Sequence, residues 1–277
     1  MVDLHSHTDA SDGTDSPEQI VDNALAAGLH ALAITDHDTL SGHDAALPYA
    51  KELGLDLLCG IELSTKFKNK TVHLLGYFPS GDPGPAFREW LTSLQAKRRD
   101  RNIRLAARLQ SMNVDVTIEE VEAVGRSMAG RPHFARILVQ KGYVATSQEA
   151  FDRYISESGA AFVERDEVPL DEGIARMRAA GGKPVLAHPV RLGKRVEMEE
   201  RAWITEAAAL GLAGMEVQHS DHNAAAAAKY GALAATLGLL PTGGSDYHGA
   251  FKPNIRLGSG INGNVRVPLA WLEGLRR

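Results

Sequence analysis

Short apolar runs alternate with segments of helical period along most of this chain. Residues 2–4, 31–35, 55–61, 72–77, 183–187, 214–218 and 239–243 each read as a buried strand. Ser16-Pro17-Glu18-Gln19 reads as a helix start, with Ser16 as N-cap, Pro17 at the first helical position and Gln19 completing a capping box. Ile20, Val21, Ala24 and Leu25 would form its buried face, and Gly28 would close it. A second helix over 42–53 separates two strands, which predicts a parallel pair joined by a right-handed crossover. Pro79, Gly81, Pro83, Gly84 and Pro85 interrupt the rhythm, and alternation resumes at Asp171 with helices over 172–181, 198–210 and 223–237. The pattern predicts an α/β protein whose seven strands can close a small barrel over 1–84 and 166–277. Residues 85–165 show only helical period and are expected to form an inserted α-helical subdomain.

Composition adds limits. With 277 residues and 44% hydrophobic, the chain can bury a large core as one domain with an insertion. No stretch is long and apolar enough to span a bilayer, and no basic leader precedes an apolar run, so no membrane partner is expected. A net charge of −5 argues against bulk attachment to nucleic acid, so no stable DNA partner is expected and any phosphate affinity must be local. The single cysteine, Cys59, lies in an apolar strand as a small hydrophobe, cannot form an internal disulfide, and fits a reducing cytoplasm. The oligomeric state is not legible.

The chemistry gathers at the strand ends. The first strand runs into His5-Ser6-His7; two residues apart on an extended backbone, both rings lie on one face and can chelate one ion. Asp12, in a glycine-containing turn, can add a hard oxygen to a second. The pattern repeats with Asp36-His37-Asp38 after 31–35, Glu62 after 55–61, His73 within 72–77, His188 after 183–187, and Asp246-Tyr247-His248 after the last strand. In barrels of parallel strands, that end builds active sites. Six histidines and three carboxylates are too many for one ion and suit two or three. His219 and His222 are expected to support ligands, whereas His30 and His43 read as ordinary polar positions.

Within the insertion, Phe87, Leu91, Leu94, Leu105, Leu109 and Met112 share a helical face that Arg98 and Arg101 interrupt, with Asn102 at its edge. Buried arginines need an anionic partner or a wet cleft. The acidic run Glu119, Glu120, Glu122 could supply one; a substrate phosphate could supply the other. Gly130-Arg131-Pro132-His133 opens a helix running to about Lys141, and its free N–H groups, Arg131 and His133 make an anion site.

These motifs, in this order, resemble the PHP (polymerase and histidinol phosphatase) family, and the insertion resembles its stand-alone phosphoesterases. The resemblance implies a distorted seven-stranded barrel with up to three divalent ions, manganese, iron or zinc. His5, His7, Glu62 and Asp246 would hold one ion, Asp12, His37 and His248 a second, and His73 and His188 a third, with Glu62 bridging. It implies hydrolysis of a phosphate monoester by metal-activated hydroxide, with His37, His248 and Asp246 in the chemical step and His37 or His248 protonating the leaving alcohol. The insertion, with Arg98, Arg101, Asn102, Arg131 and His133 binding substrate, would cover the site. The expected substrate is a nucleoside 3',5'-bisphosphate losing its 3'-phosphate. A short 5'-phosphorylated RNA, trimmed from that end, and histidinol phosphate are alternatives. A non-catalytic interaction module is disfavoured because all nine ligand positions are filled, and an amidohydrolase because no lysine ends a strand.

Overall fold

The computed structural model describes residues 1–125, 129–164, 166–193 and 197–277. In chain order its elements are β1 (Val2–Asp3), α1 (Pro17–Ala26), β2 (Ala31–Ile34), α2 (Ser41–Leu53), β3 (Asp56–Phe67), β4 (Lys70–Phe78), α3 (Pro85–Ser111), α4 (Ile118–Gly125), α5 (Arg131–Gln140), α6 (Ser147–Ala150), β5 (Val168–Pro169), α7 (Leu170–Ala179), β6 (Lys183–Leu186), α8 (Glu197–Ala209), β7 (Gly214–His219), α9 (Ala224–Leu237), β8 (Leu240–Gly244) and α10 (Leu269–Arg276). They divide into two compact units, Met1–Arg88 with Glu167–Arg277, and Glu89–Asp166.

The first unit is a nearly closed barrel. Seven strands follow one another in the order β1-β2-β3-β4-β6-β7-β8, and the two-residue β5 pairs with β3 outside this path. β1, β2 and β3 are mutually parallel, as the crossover rule requires, and so are β6, β7 and β8. Backbone bonds from Leu4 N–H to the Gly243 carbonyl (3.2 Å) and from Asp246 N–H to the His5 carbonyl (2.8 Å) bring the two end strands together.

The alternation fails at one place. β4 runs antiparallel to both β3 and β6, and β3 continues to Phe67 instead of ending before Glu62. The cause is the Lys68-Asn69 turn: both residues have positive φ (48° and 58°), the geometry that matches the twist of a tight hairpin. The reversal brings the early residues of β4, His73 among them, to the same end as the C-termini of the parallel strands.

Helix α1 forms as its sequence dictates. Ser16 Oγ accepts from Gln19 N–H and Gln19 Oε1 accepts from Ser16 N–H, closing the capping box. Ile20, Val21 and Ala24 are buried, but Leu25, expected on the same face, is 38% exposed.

The second unit has its own core, including Leu105, Leu109, Val121, Phe134, Leu138 and Ile155. No strand occurs among its described residues. Of the expected stripe on α3, Phe87, Leu91, Leu105 and Leu109 are buried, Leu94 is half-buried, and Met112 is exposed because the helix ends at Ser111.

Asp3 ties the barrel seam together from inside. Its fully buried carboxylate accepts from Ser245 N–H (2.9 Å), Ser245 Oγ (2.6 Å), Gly258 N–H (2.7 Å) and His5 N–H (3.2 Å). Gly244 completes the seam, since a Cβ there would strike the His5 backbone nitrogen. Asp3→Ala would strand four buried donors and is expected to lower unfolding stability by about 3 kcal/mol or more. Urea denaturation of metal-free protein measures this; an unchanged midpoint would show that water or a rearranged loop replaces the carboxylate.

Candidate metal centre

At the barrel mouth one carboxylate lies inside a ring of imidazoles. Glu62 Oε2 is 3.2 Å from His5 Nε2, 3.2 Å from His7 Nε2 and 3.4 Å from His37 Nδ1. Its Oε1 is 2.7 Å from His73 Nδ1 and 2.9 Å from His188 Nε2. Asp246 Oδ1 lies 3.3 Å from His7 Nε2 and 3.5 Å from His5 Nε2. Asp12 lies 3.3 Å from His248 Nε2, 3.6 Å from His7 Nδ1 and 3.8 Å from His37 Nε2. All nine residues expected as ligands therefore converge. Eight of them fall into groups spaced to hold a cation: His5, His7, Glu62 and Asp246; His7, Asp12, His37 and His248; and His37, Glu62 and His73; His5 also forms such a group with Glu216 and His219, whereas His188 Nε2 meets the cluster at Glu62.

Hydrogen-bond accounting tests whether cations fit. Glu216 is held down to about 2: burial raises it, but the charges of His5 and His219 outweigh that, so it is an ionised acceptor. His5 Nδ1, 3.0 Å from Glu216 Oε1, must therefore carry a proton, and a neutral ring then points its Nε2 lone pair at Glu62 and Asp246. His248 repeats the arrangement: Nδ1 donates to the Asp246 carbonyl (2.8 Å), leaving the Nε2 lone pair facing Asp12. His7 Nδ1 and Nε2 and His37 Nδ1 are buried without a hydrogen bond, although carboxylate oxygens lie within 3.6 Å, because none is aligned as an acceptor. Lone pairs aimed at carboxylates require a positive charge between them. In a tetrahedral site with bonds of about 2.1 Å, ligand atoms stand about 3.4 Å apart, which matches the 3.2–3.5 Å spacings of the first group. The donor set fits divalent metals.

Electrostatics agrees. Burial pushes Glu62 upward, but His37, His73 and His5 hold it well below the usual carboxylate range. Burial lowers His37 to about 4 and His188 to about 3, keeping both in the neutral form that ligates. For His5 and His7 burial also acts downward, yet the surrounding carboxylates raise both, His7 to about 9, so a proton takes up the position the metal would hold.

A supporting tier positions the ligands. Asp36 accepts from Thr8 N–H (2.8 Å), Thr8 Oγ1 (2.7 Å) and Ser11 Oγ (2.6 Å), fixing the loop that carries Asp12. Asp38, at φ 51°, accepts from Ser64 N–H (2.7 Å) and locks the backbone between His37 and Glu62. Glu216, besides His5, accepts the His188 N–H (2.7 Å) where that residue sits at φ 22°. His219 accepts from Asp221 N–H (3.0 Å) through Nδ1, which places its proton on Nε2, 3.4 Å from Asp246 Oδ2 but not aligned for a hydrogen bond. His222 packs on the rings of His219 and Tyr230. Glu216 was not singled out in the sequence; the available signal was a carboxylate in a strand otherwise buried throughout.

The residues expected to bind substrate lie in the second unit. Asn102 is buried rather than at an edge and donates to the Ala129 carbonyl (2.7 Å), while its Oδ1 accepts from the buried Arg101 (2.8 Å). His133 Nδ1 accepts the Gly130 N–H (3.1 Å), and its ring packs so closely on Gly125 that a Cβ there would collide with it. Arg101, Asn102 and His133 thus meet around the turn that opens α5, with Arg131 half-buried at its first residue and Arg98 half-buried one turn earlier on α3. In the acidic run, Glu122 pairs with Arg99 and Glu120 with Lys141.

A barrel mouth lined by six imidazoles and three carboxylates, with the hydrogen-bond pattern of a cation site, defines a metal-dependent hydrolase. The PHP domain model matches residues 3–164, and the chain belongs to the PHP family. It is a metal-dependent phosphoesterase of that type. It is 33% identical over 249 residues to a 5'-3' exoribonuclease of Haemophilus influenzae, covering 89% of each chain. It is 31% identical to a 3',5'-nucleoside bisphosphate phosphatase of Chromobacterium violaceum, covering 89% of this chain and 87% of that one. Among solved structures it resembles a protein of Bifidobacterium adolescentis titled as a metal-dependent phosphoesterase (TM-score 0.82, 32% identity, 99% of this chain and 94% of that one).

Glu216→Gln probes the supporting tier. Both of its partners are donors, His5 Nδ1–H and His188 N–H, and an amide offers only one acceptor oxygen. One bond must be lost, and divalent-metal affinity is expected to fall about tenfold to a hundredfold in chelator competition. Affinity equal to the parent protein would show that neither ligand depends on Glu216.

Proposed function

We propose that this protein removes the 3'-phosphate of nucleoside 3',5'-bisphosphates. The observation that carries this reading is the pairing of a phosphoester-cleaving cluster with a second unit whose arginines stand at a helix start. Arg101 and Asn102 are buried yet tied to the turn before α5, where the Arg131 guanidinium beside His133 can receive an anion. A substrate with two phosphate groups suits a chain that carries both a phosphoester-cleaving cluster and, in its second unit, an anion corner. The name of the Chromobacterium violaceum relative supports the reading.

Divalent ions, bound two or three per chain, would acidify a water and withdraw charge from the phosphoryl oxygens. His5, His7, Glu62 and Asp246 would hold one, Asp12, His37 and His248 a second, and His73 and His188 a third, with Glu62 shared. Burial lowers both His37 and His248, so each is a neutral imidazole at neutral pH. That form suits ligation better than proton donation, so we now assign both, with Asp246, to holding metal.

A second reading has its own support: the Haemophilus influenzae relative carries the name of a 5'-3' exoribonuclease, and the same anion corner would suit the 5' end of a short RNA. A turnover panel of adenosine 3',5'-bisphosphate, AMP, histidinol phosphate and a 5'-phosphorylated oligoribonucleotide separates the readings. The bisphosphate is expected to show the highest kcat/KM, with two to three metal ions per chain and activity lost to chelator. Faster turnover of the RNA would transfer the proposal to the second reading, and full turnover in excess chelator would end both.

Arg131→Ala is expected to lower kcat/KM for the bisphosphate about tenfold to a hundredfold, the worth of a charge-assisted contact. Arg101→Ala should do the same, with some loss of stability because the side chain is buried. Metal content should hold, and a generic aryl phosphate should be almost unaffected. Equal losses on both substrates would make these arginines structural.

A further inference from the structure

Asp246 is overloaded on the side facing away from the candidate metal position. Its Oδ1 turns toward His5 and His7, while its Oδ2 is approached by Arg191 Nη2 (2.8 Å), Lys252 Nζ (2.9 Å) and His219 Nε2 (3.4 Å). One carboxylate oxygen has two lone pairs, so three converging donors cannot all be well satisfied. Two of the three are permanent cations. Asp221 offsets part of this charge by accepting from Arg191 Nε (2.7 Å). Both cations keep an open side: the Arg191 side chain is 36% exposed and that of Lys252 28%, beside the almost entirely buried Asp246 and His219.

The two residues follow β6 and β8, the two strands that flank β7. Arg191 lies in the short 3-10 turn directly after His188, and Lys252 directly follows the 3-10 turn after His248. Each is three or four residues beyond a candidate ligand, so each is carried to the rim by the backbone that places the ligand. When the Asp246 carboxylate is shared with a divalent ion, less of its charge remains for Arg191 and Lys252. The rim then presents a pair of under-compensated donors to solvent beside the reacting centre.

We propose that Arg191 and Lys252 form an anion-binding pair for the phosphoryl group being cleaved, taking non-bridging oxygens from the side opposite the metal-binding face of Asp246. The inference rests on the phosphoesterase reading and deepens it. This pair would hold the reacting phosphate, a role distinct from that of the Arg101 and Arg131 corner. The planar guanidinium can span two oxygens of a phosphate, and the ammonium supplies a point charge. Asp221 is the built-in competitor for Arg191, which gives the proposal a test of opposite sign.

The test is calorimetric binding of inorganic phosphate to metal-loaded protein, with metal content measured on the same samples. Arg191→Gln and Lys252→Gln are each expected to weaken phosphate binding about tenfold to a hundredfold at unchanged metal content. Asp221→Asn, which frees Arg191 at a half-exposed position, is expected to tighten it severalfold. If Arg191→Gln or Lys252→Gln binds phosphate as the parent does, or loses metal in proportion to phosphate binding, the pair only steadies Asp246 and the inference is overturned. If Asp221→Asn weakens binding, the competition argument is wrong and the inference falls with it. A parent protein that binds metal yet neither binds phosphate nor turns over any phosphate ester would instead overturn the functional reading.

Discussion

Five imidazole nitrogens within 3.4 Å of the oxygens of one buried carboxylate, Glu62, set the terms for the barrel mouth. Such a carboxylate is costly in a dry interior unless positive charge reaches it, and neutral imidazoles bring charge only by gaining a proton or by sharing a cation. Protons alone serve the cluster poorly. His37 and His188 are pushed by burial toward the neutral form while His5 and His7 are driven toward the charged one, so neighbouring rings disagree about which should hold a proton. Divalent ions resolve the conflict, because every ring can then stay neutral and still direct a lone pair at positive charge. The same geometry that burdens the metal-free protein is what prepares it to bind.

The backbone is arranged to sustain this. Asp38, His188 and Asp246 are non-glycine residues with φ of 51°, 22° and 55°, and all three lie in or beside the cluster. Each is secured by a bond from another strand: Asp38 N–H to the Glu62 carbonyl, His188 N–H to Glu216, and Asp246 N–H to the His5 carbonyl. The last is also a closure bond of the barrel. Closing the seam and aiming the ligands are therefore one event, with Asp3 serving the seam and Glu216 serving two ligands from within the wall.

The sequence disclosed the strands, the barrel and all nine converging residues, because each reads locally: an apolar run of fixed period, then histidine or carboxylate. What it hid was relational. The reversal at Lys68-Asn69 carries little hydrophobic signal, so β3 was expected to stop at Glu62 and β4 gave no sign of running antiparallel. Leu25 and Met112 satisfied the helical period but lie where a helix rolls into solvent or ends. Asp3 and Glu216 stand singly in apolar strands, and a lone carboxylate shows its purpose only when its donors, supplied by residues up to 255 positions away, are placed around it. Arg191 and Lys252 stand three and four residues beyond a ligand, each in or directly after a short turn with no periodic pattern to mark it. Only the fold reveals that they meet at the same oxygen.

Charge balance connects the cluster to the class of substrate. Asp12, Glu62, Asp246 and the ionised Glu216 place four negative charges within one network of imidazoles. Two divalent ions would neutralise them, and a third would leave a surplus of two positive charges. Arg191 and Lys252, held against one further carboxylate at Asp221, add to that surplus at the rim. A neutral amide gains little from such a field, whereas a phosphate monoester dianion matches it in sign and gathers further charge on its oxygens as it is cleaved. Lys252 reaches the cluster through an ion pair with Asp246. One barrel can serve many chemistries, so it is the site and its charge, not the fold, that argue for a phosphate ester.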